Sequence, residues 1–180
     1  EALASMTDIY ANPSSLHKMG FEAEKLITKS RRIVAKALGC HEKELYFTSG
    51  ATESNNIAIF GAAKAKKRRG RHIVTTQIEH PSVSRVIKQL EKDGFSVSYI
   101  EPKNGKYFAE DFEKAVTNET ILLSCMFVNN ETGLLLPVAE IAAAVKRKNP
   151  NIIVHVDGVQ AFCKIPFSVN RMSVDLLSFS

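Results

Sequence analysis

Short apolar runs rich in β-branched residues alternate along this chain with longer segments whose apolar positions recur at helical spacing. That alternation restricts the fold more than any other feature. Residues 44–48, 72–76, 96–100, 121–128 and 152–156 read as strands, and 174–180 as a further buried strand. Between them, helices are expected over 52–68, 82–92, 108–116 and 137–148. The third is entered through a turn at Asn104-Gly105, and the last opens with Pro137 at its first position. A longer amphipathic helix over 14–38, with Leu16, Met19, Ala23, Leu26, Ile27, Ile33, Val34, Ala37 and Leu38 on its apolar positions, is closed by Gly39. Strands apolar on both faces and joined by helices imply an α/β fold of three αβα layers around a mostly parallel sheet. In such sheets ligands sit beyond the carboxyl ends of the strands, so the residues that follow each strand carry the functional expectation.

Composition narrows the alternatives. The 180 residues are 44% hydrophobic, 24% charged and 8% aromatic, an ordinary globular mixture that excludes collagen and disorder. Cys40, Cys125 and Cys163 are odd in number and form no C-x-x-C pair, which argues against a disulfide framework or a thiolate zinc site and fits a reducing compartment. The five histidines show no metal-ligand spacing, so no metal is expected. No apolar run approaches the roughly 20 residues of a membrane-spanning helix. Lys and Arg exceed Asp and Glu by 24 to 19, and much of the excess lies in KAKKRRGR at 64–71. This run falls at a helix end, where cations complement the negative pole and Gly70 suits a left-handed cap. It lacks the interleaved aromatics or binding motif of a nucleic-acid surface, so no nucleic-acid partner is expected. The chain opens at Glu1 without a leader pattern and stops within an apparent strand, so it is expected to be a piece of a longer protein cut at both ends.

Four strand ends carry candidate chemistry. Ser49-Gly50-Ala51-Thr52 before a helix presents free backbone N–H groups at a positive helix pole, a phosphate cradle unless Thr52 or Ser49 caps the amides itself. It has neither Walker nor dinucleotide-turn spacing. His80, between Glu79 and Pro81, is either a turn residue or a group for proton transfer or stacking on a ligand. Asn129-Asn130 either offers amides to a ligand or forms an Asx turn. Asp157, after an apolar strand, suits metal binding, ribose binding or pairing with a ring nitrogen, against a plain solvated carboxylate.

The order of these segments is more specific than any one of them. The phosphate cradle, T-x-x-E-H at 76–80, VNNETG at 128–133, HVDGVQ at 155–160 and VDLLSFS at 174–180 together resemble the cysteine desulfurases of the class V aminotransferase group, as does NPSSLH at 12–17. The resemblance runs from about Asn12 to Ser180. It implies a partial large domain of a fold-type I pyridoxal-phosphate-dependent transferase, residues 1–180 being part of that domain, with the C-terminal small domain outside them. By this likeness Ala51, Thr52 and Ser180 hold the cofactor phosphate, and His80 stacks on the ring and acts on protons of the substrate. Asp157 pairs with the ring nitrogen, Gln160 with the phenolic oxygen, and Asn130 lies near that oxygen and the substrate carboxylate.

The implied reaction takes sulfur from L-cysteine, giving L-alanine and an enzyme persulfide for iron–sulfur cluster or thio-cofactor synthesis. Implied partners are a second copy in a homodimer and a sulfur acceptor or iron–sulfur scaffold protein, in the cytoplasm or mitochondrial matrix. The family's Schiff-base lysine follows S-x-S in a G-H-K tripeptide just past the position of Ser180, and its nucleophilic cysteine lies further on. Lys164 and the three cysteines match neither, so the 180 residues alone are expected to be inactive. Selenocysteine lyase, another class V enzyme, or a non-catalytic binding remnant of the same fold are the alternatives.

Overall fold

The computed structural model describes residues 10–180, which divide into two compact units, the first ending at Tyr46 and the second being Phe47–Ser180. In the first, α1 (Lys18–Leu38) begins at His17, whose Nδ1 accepts the Gly20 N–H at 3.3 Å. It ends at Gly39, whose φ of 73° is the left-handed cap expected from the sequence. In the NPSSLH stretch, Asn12 Oδ1 accepts the Ser14 N–H at 2.9 Å and its carbonyl accepts that of Ser15 at 3.0 Å. The strand expected over 44–48 does not form. A 3-10 turn, Glu42–Glu44, is followed by residues 45–48 in irregular conformation, with Tyr46 exposed.

The second unit is a parallel sheet. After α2 (Ala51–Lys66), the chain runs through β1 (His72–Thr76), α3 (Pro81–Lys92), β2 (Ser96–Ile100), α4 (Ala109–Ala115), β3 (Thr120–Met126), α5 (Val138–Lys148), β4 (Ile153–Asp157) and β5 (Leu176–Ser178). The strand order is β2-β1-β3-β4-β5, with every pair parallel. Alternate side chains enter opposite layers. Ile73 and Leu122 pack with Ile59 and Ala63 of α2 and Val83 and Ile87 of α3. Val74 and Leu123 pack with Phe112 of α4 and Ile141 and Val145 of α5. This is the three-layer αβα arrangement implied by the sequence, and each fully buried Leu or Ile contributes about 1.5–3 kcal/mol to it.

Several local expectations are corrected. Pro137 is the cap before α5 rather than its first residue, β3 stops at Met126, and β5 keeps only three residues of the expected 174–180. Gly70 is not a left-handed cap. It sits where an added Cβ would lie 2.2 Å from the Glu119 carbonyl oxygen, so its small size permits the close approach of the chain before β3. The basic run at 64–71 does end a helix, and Lys64, Lys67, Arg68, Arg69 and Arg71 are exposed. Asn104 and Gly105, with φ of 51° and 72°, form the expected turn between the bridged Lys103 and Lys106. Among the described residues, no helix is long and apolar enough to cross a membrane and no His, Cys, Asp and Glu group is placed to hold a metal.

Candidate active site at the carboxyl edge of the sheet

The chain places β2 on one side of β1 and β3 on the other, so strand order reverses between β1 and β3. At such a reversal the loops leaving the two strands diverge and open a crevice at their carboxyl ends. Two hydrogen bonds pin the loop after β1 across it. The Met126 N–H donates to Glu79 Oε1 at 2.9 Å, and Asn129 Nδ2 donates to the Ile78 carbonyl at 3.1 Å. Glu79 is buried, and the Thr76 hydroxyl also donates to its Oε1. Burial pushes its carboxyl up to about 8, against the pull of the Thr76 and Met126 hydrogen bonds and with help from the nearby Asp157 charge. The loop that presents His80 is therefore fixed from below.

Asp157 is the last residue of β4 rather than a residue beyond it, and only 7% exposed. Two N–H donors hold its carboxylate: Asn55 Nδ2 at 2.8 Å from Oδ2 and the Val159 backbone at 3.1 Å from Oδ1. A solvated loop carboxylate is thereby excluded. Asn55 is itself fully buried in α2, and its Nδ2 also donates to Ser82 Oγ at 2.9 Å. Ser82 Oγ lies 2.8 Å from His80 Nδ1. A continuous polar chain, Asp157 to Asn55 to Ser82 to His80, thus links three elements, and it anchors the start of α2 at the carboxyl edge.

The start of α2 is uncapped. Gly50 precedes it with an extended backbone, and no side chain hydrogen-bonds its first amides. Neither Thr52 nor Ser49 caps it, contrary to the plain structural reading. Ser49 instead donates its own N–H to Glu53 Oε2 at 2.6 Å, which holds the Glu53 carboxyl below its usual range. Thr48 Oγ1 pairs with Ser54 Oγ at 2.7 Å. Thr52 lines a cleft of about 370 Å³ together with Asn56, Phe60, His80 and Arg85. A larger apolar cleft of about 650 Å³, between Phe127, Pro137 and Phe167, contains none of the expected site residues.

The remaining candidates are less engaged. Asn129 forms the Asx turn, its Oδ1 accepting the Glu131 and Thr132 N–H groups at 3.1 and 2.8 Å. Asn130 is exposed and makes no side-chain hydrogen bond. Gln160 Oε1 accepts from Lys164 Nζ at 2.6 Å, and Ser180 is exposed. Sequence reasoning missed Asn55, Ser82 and the structural part of Glu79. Their signal was an asparagine in register with the buried Ile59, Ala62 and Ala63 of α2, since 55, 59, 62 and 63 share one helical face.

Comparison with known proteins points the same way. The cysteine desulfurase IscS of Clostridium botulinum (strain Hall) is 42% identical over 181 residues, covering 100% of this chain and 45% of that protein. The IscS of Aeromonas salmonicida is 43% identical over 178 residues, covering 98% of this chain and 44% of its own length. A solved NifS-like protein superposes with a TM-score of 0.94 at 43% identity, over 99% of this chain and 49% of that one. A structure of SspA in complex with cysteine gives 0.92 at 37% identity, over 98% of this chain and 51% of that one. This chain therefore spans about half the length of the relatives it matches. The sequence profile of the aminotransferase class-V family matches residues 1–180 without remainder, and the chain belongs to that family.

Proposed function

We propose that this chain forms part of the cofactor-binding large domain of a pyridoxal-phosphate-dependent cysteine desulfurase. Such an enzyme takes sulfur from L-cysteine, releases L-alanine and passes the sulfur on from a protein persulfide. The observation that carries the reading is the buried Asp157 carboxylate, fixed by Asn55 and Val159, at the same sheet edge as His80 and the uncapped start of α2. Two built features fit the cofactor: free amides at a positive helix pole for a phosphate, and an immobile anion for a protonated ring nitrogen.

When bound, pyridoxal phosphate supplies an electron sink for the pair left on the substrate α-carbon. Asp157 keeps the ring nitrogen charged, because an anion held by two donors cannot turn away. Ala51 and Thr52 would hold the phosphate through their amides and the Thr52 hydroxyl, together with Ser180. His80 would stack on the cofactor ring. Gln160 would hydrogen-bond the phenolic oxygen, and Asn130 would lie near that oxygen and the substrate carboxylate. Lys164 is not the covalent anchor, since its amine is engaged by Gln160 at the surface. The lysine and the sulfur-accepting cysteine are assigned to sequence outside these 180 residues. A homodimer, a sulfur acceptor or iron–sulfur scaffold partner, and a cytoplasmic or mitochondrial-matrix setting complete the proposal. The three free cysteines support the reducing compartment.

Calorimetric titration with pyridoxal phosphate tests the site. Binding that weakens about 10- to 100-fold in Asp157→Asn, which keeps the shape and removes the charge, is the expected result. Equal binding by both proteins, or none by either, overturns the reading.

A further inference from the structure

His80 is the N-cap of α3, and its Nδ1 accepts the Ser82 backbone N–H at 3.1 Å. A peptide N–H only donates, so that nitrogen carries a lone pair. The Ser82 hydroxyl approaches the same nitrogen at 2.8 Å. Asn55 Nδ2 faces the Asp157 carboxylate, which only accepts, so the amide orientation is fixed and Nδ2 also donates to Ser82 Oγ. A hydroxyl that accepts from Asn55 keeps its own proton free to donate, and because the backbone N–H already meets a lone pair on His80 Nδ1, Ser82 turns that proton toward it. Two donors then occupy the one lone pair, and the ring proton of neutral His80 must sit on Nε2. Among the described residues no group hydrogen-bonds Nε2, and the ring lines the cleft beside Thr52.

We propose that His80 serves this site as a neutral hydrogen-bond donor through Nε2–H, its lone-pair nitrogen being withheld in the α3 cap, and that Ser82 and Asn55 are the positioning residues that enforce this tautomer. The inference rests on the pyridoxal-phosphate reading only for what Nε2–H faces. His17 and His41 also cap helices through Nδ1, accepting from Gly20 and Lys43, but no second donor reaches their rings. They are internal comparisons.

Long-range ¹⁵N–¹H correlation spectra of histidine-labelled protein, at a pH where the ring is neutral, decide it. The His80 signals are assigned by their loss in His80→Gln. The pure Nε2–H pattern is expected for His80. In Ser82→Ala, and in Asn55→Ala acting through Ser82, the minor Nδ1–H form rises about tenfold, the effect of losing one hydrogen bond, and Ser82→Thr restores the original ratio. An Nδ1–H or averaged pattern in the unaltered protein, or a ratio unmoved by both substitutions, overturns the proposal. The two readings fail separately: an Nε2–H pattern with no pyridoxal phosphate bound removes the cofactor and keeps the tautomer, while binding with an Nδ1–H pattern does the reverse.

Discussion

Asn55 lies fully buried on α2 and donates from one nitrogen to both Asp157 and Ser82. Removing it leaves a buried carboxylate with one donor in place of two and a serine hydroxyl without its partner. Asn55→Ala is therefore expected to lower stability by about 2–3 kcal/mol in urea unfolding, more than an exposed asparagine can, and a loss below about 0.5 kcal/mol contradicts the linkage. Asp157 and His80 were legible in the sequence because they stand at or just past the carboxyl end of a strand, and Thr52 because a small-residue turn opens its helix. Asn55 and Ser82 were hidden, since a polar residue inside a helix reads as solvated until the face it shares is known. Glu79 was visible as a letter in T-x-x-E-H, but its burial depends on β3 approaching from 47 residues further along the chain. Gln160 and Asn130 stand in the expected order of motifs, yet neither is drawn toward Asp157 by a hydrogen bond within the chain.

Two glycines separate what local propensity decides from what packing decides. Gly61 lies in the middle of α2, exposed, with nothing within 4 Å of an added Cβ. Gly61→Ala is expected to raise stability by about 0.5–1 kcal/mol through helix propensity alone. Gly70 sits against the Glu119 backbone, and Gly70→Ala is expected to lower it by about 1–3 kcal/mol because neither chain can move aside cheaply. Thermal unfolding of the pair should show shifts of opposite sign; two stabilising shifts would refute the close approach. The same contrast explains which elements the sequence revealed. Strands β1 and β2 have the expected ends because turn residues flank them and a neighbour exists on the sheet. Leu45, Tyr46 and Phe47 have strand-forming side chains but form no strand, and periodicity alone does not make one. At β5 a side chain takes the place of one ladder bond: the Asp175 N–H donates to the Val154 carbonyl at 2.9 Å, but the Val154 N–H goes to Asp175 Oδ2 at 2.7 Å, and regular pairing starts only at Leu176. That substitution needs the two segments side by side, which no pattern within 174–180 announces.

Across the second unit, buried titratable groups of opposite sign shape its response to pH. His155 bridges Ser124 and Ser178 at 2.9 and 3.0 Å with no exposure, and burial pushes it down to about 4. Burial also lowers His72, between Thr120 and Ser98. Each histidine takes up a proton more readily when unfolded, so its contribution is present above the ordinary value of 6.5 and is lost as pH falls below it, for His155 as far as about 4. Glu79 runs the other way. Its folded form keeps a proton up to about 8 while the unfolded form releases it near 4.5, so its contribution is complete below 4.5 and is lost as pH rises to 8. Between 4.5 and 6.5 the opposed slopes of Glu79 and His155 offset each other. In the unfolded chain both histidines are half protonated at 6.5 and neutral about one unit higher, and the Cys125 thiol, raised well above its usual value, does not titrate. Glu79 then dominates, with a slope of up to about 1.4 kcal/mol per pH unit that the histidines reduce near 6.5, for a net loss of roughly 1 kcal/mol between pH 6.5 and 8. Urea unfolding at these two pH values should show that loss in the unaltered protein. In Glu79→Gln, whose amide keeps an acceptor for Thr76 and Met126 and carries no titrating proton, stability should not fall across the same interval. A level curve in the unaltered protein would mean that Glu79 is ionised in the folded state, and the loop after β1 would then be held by a buried charge rather than by a neutral carboxyl.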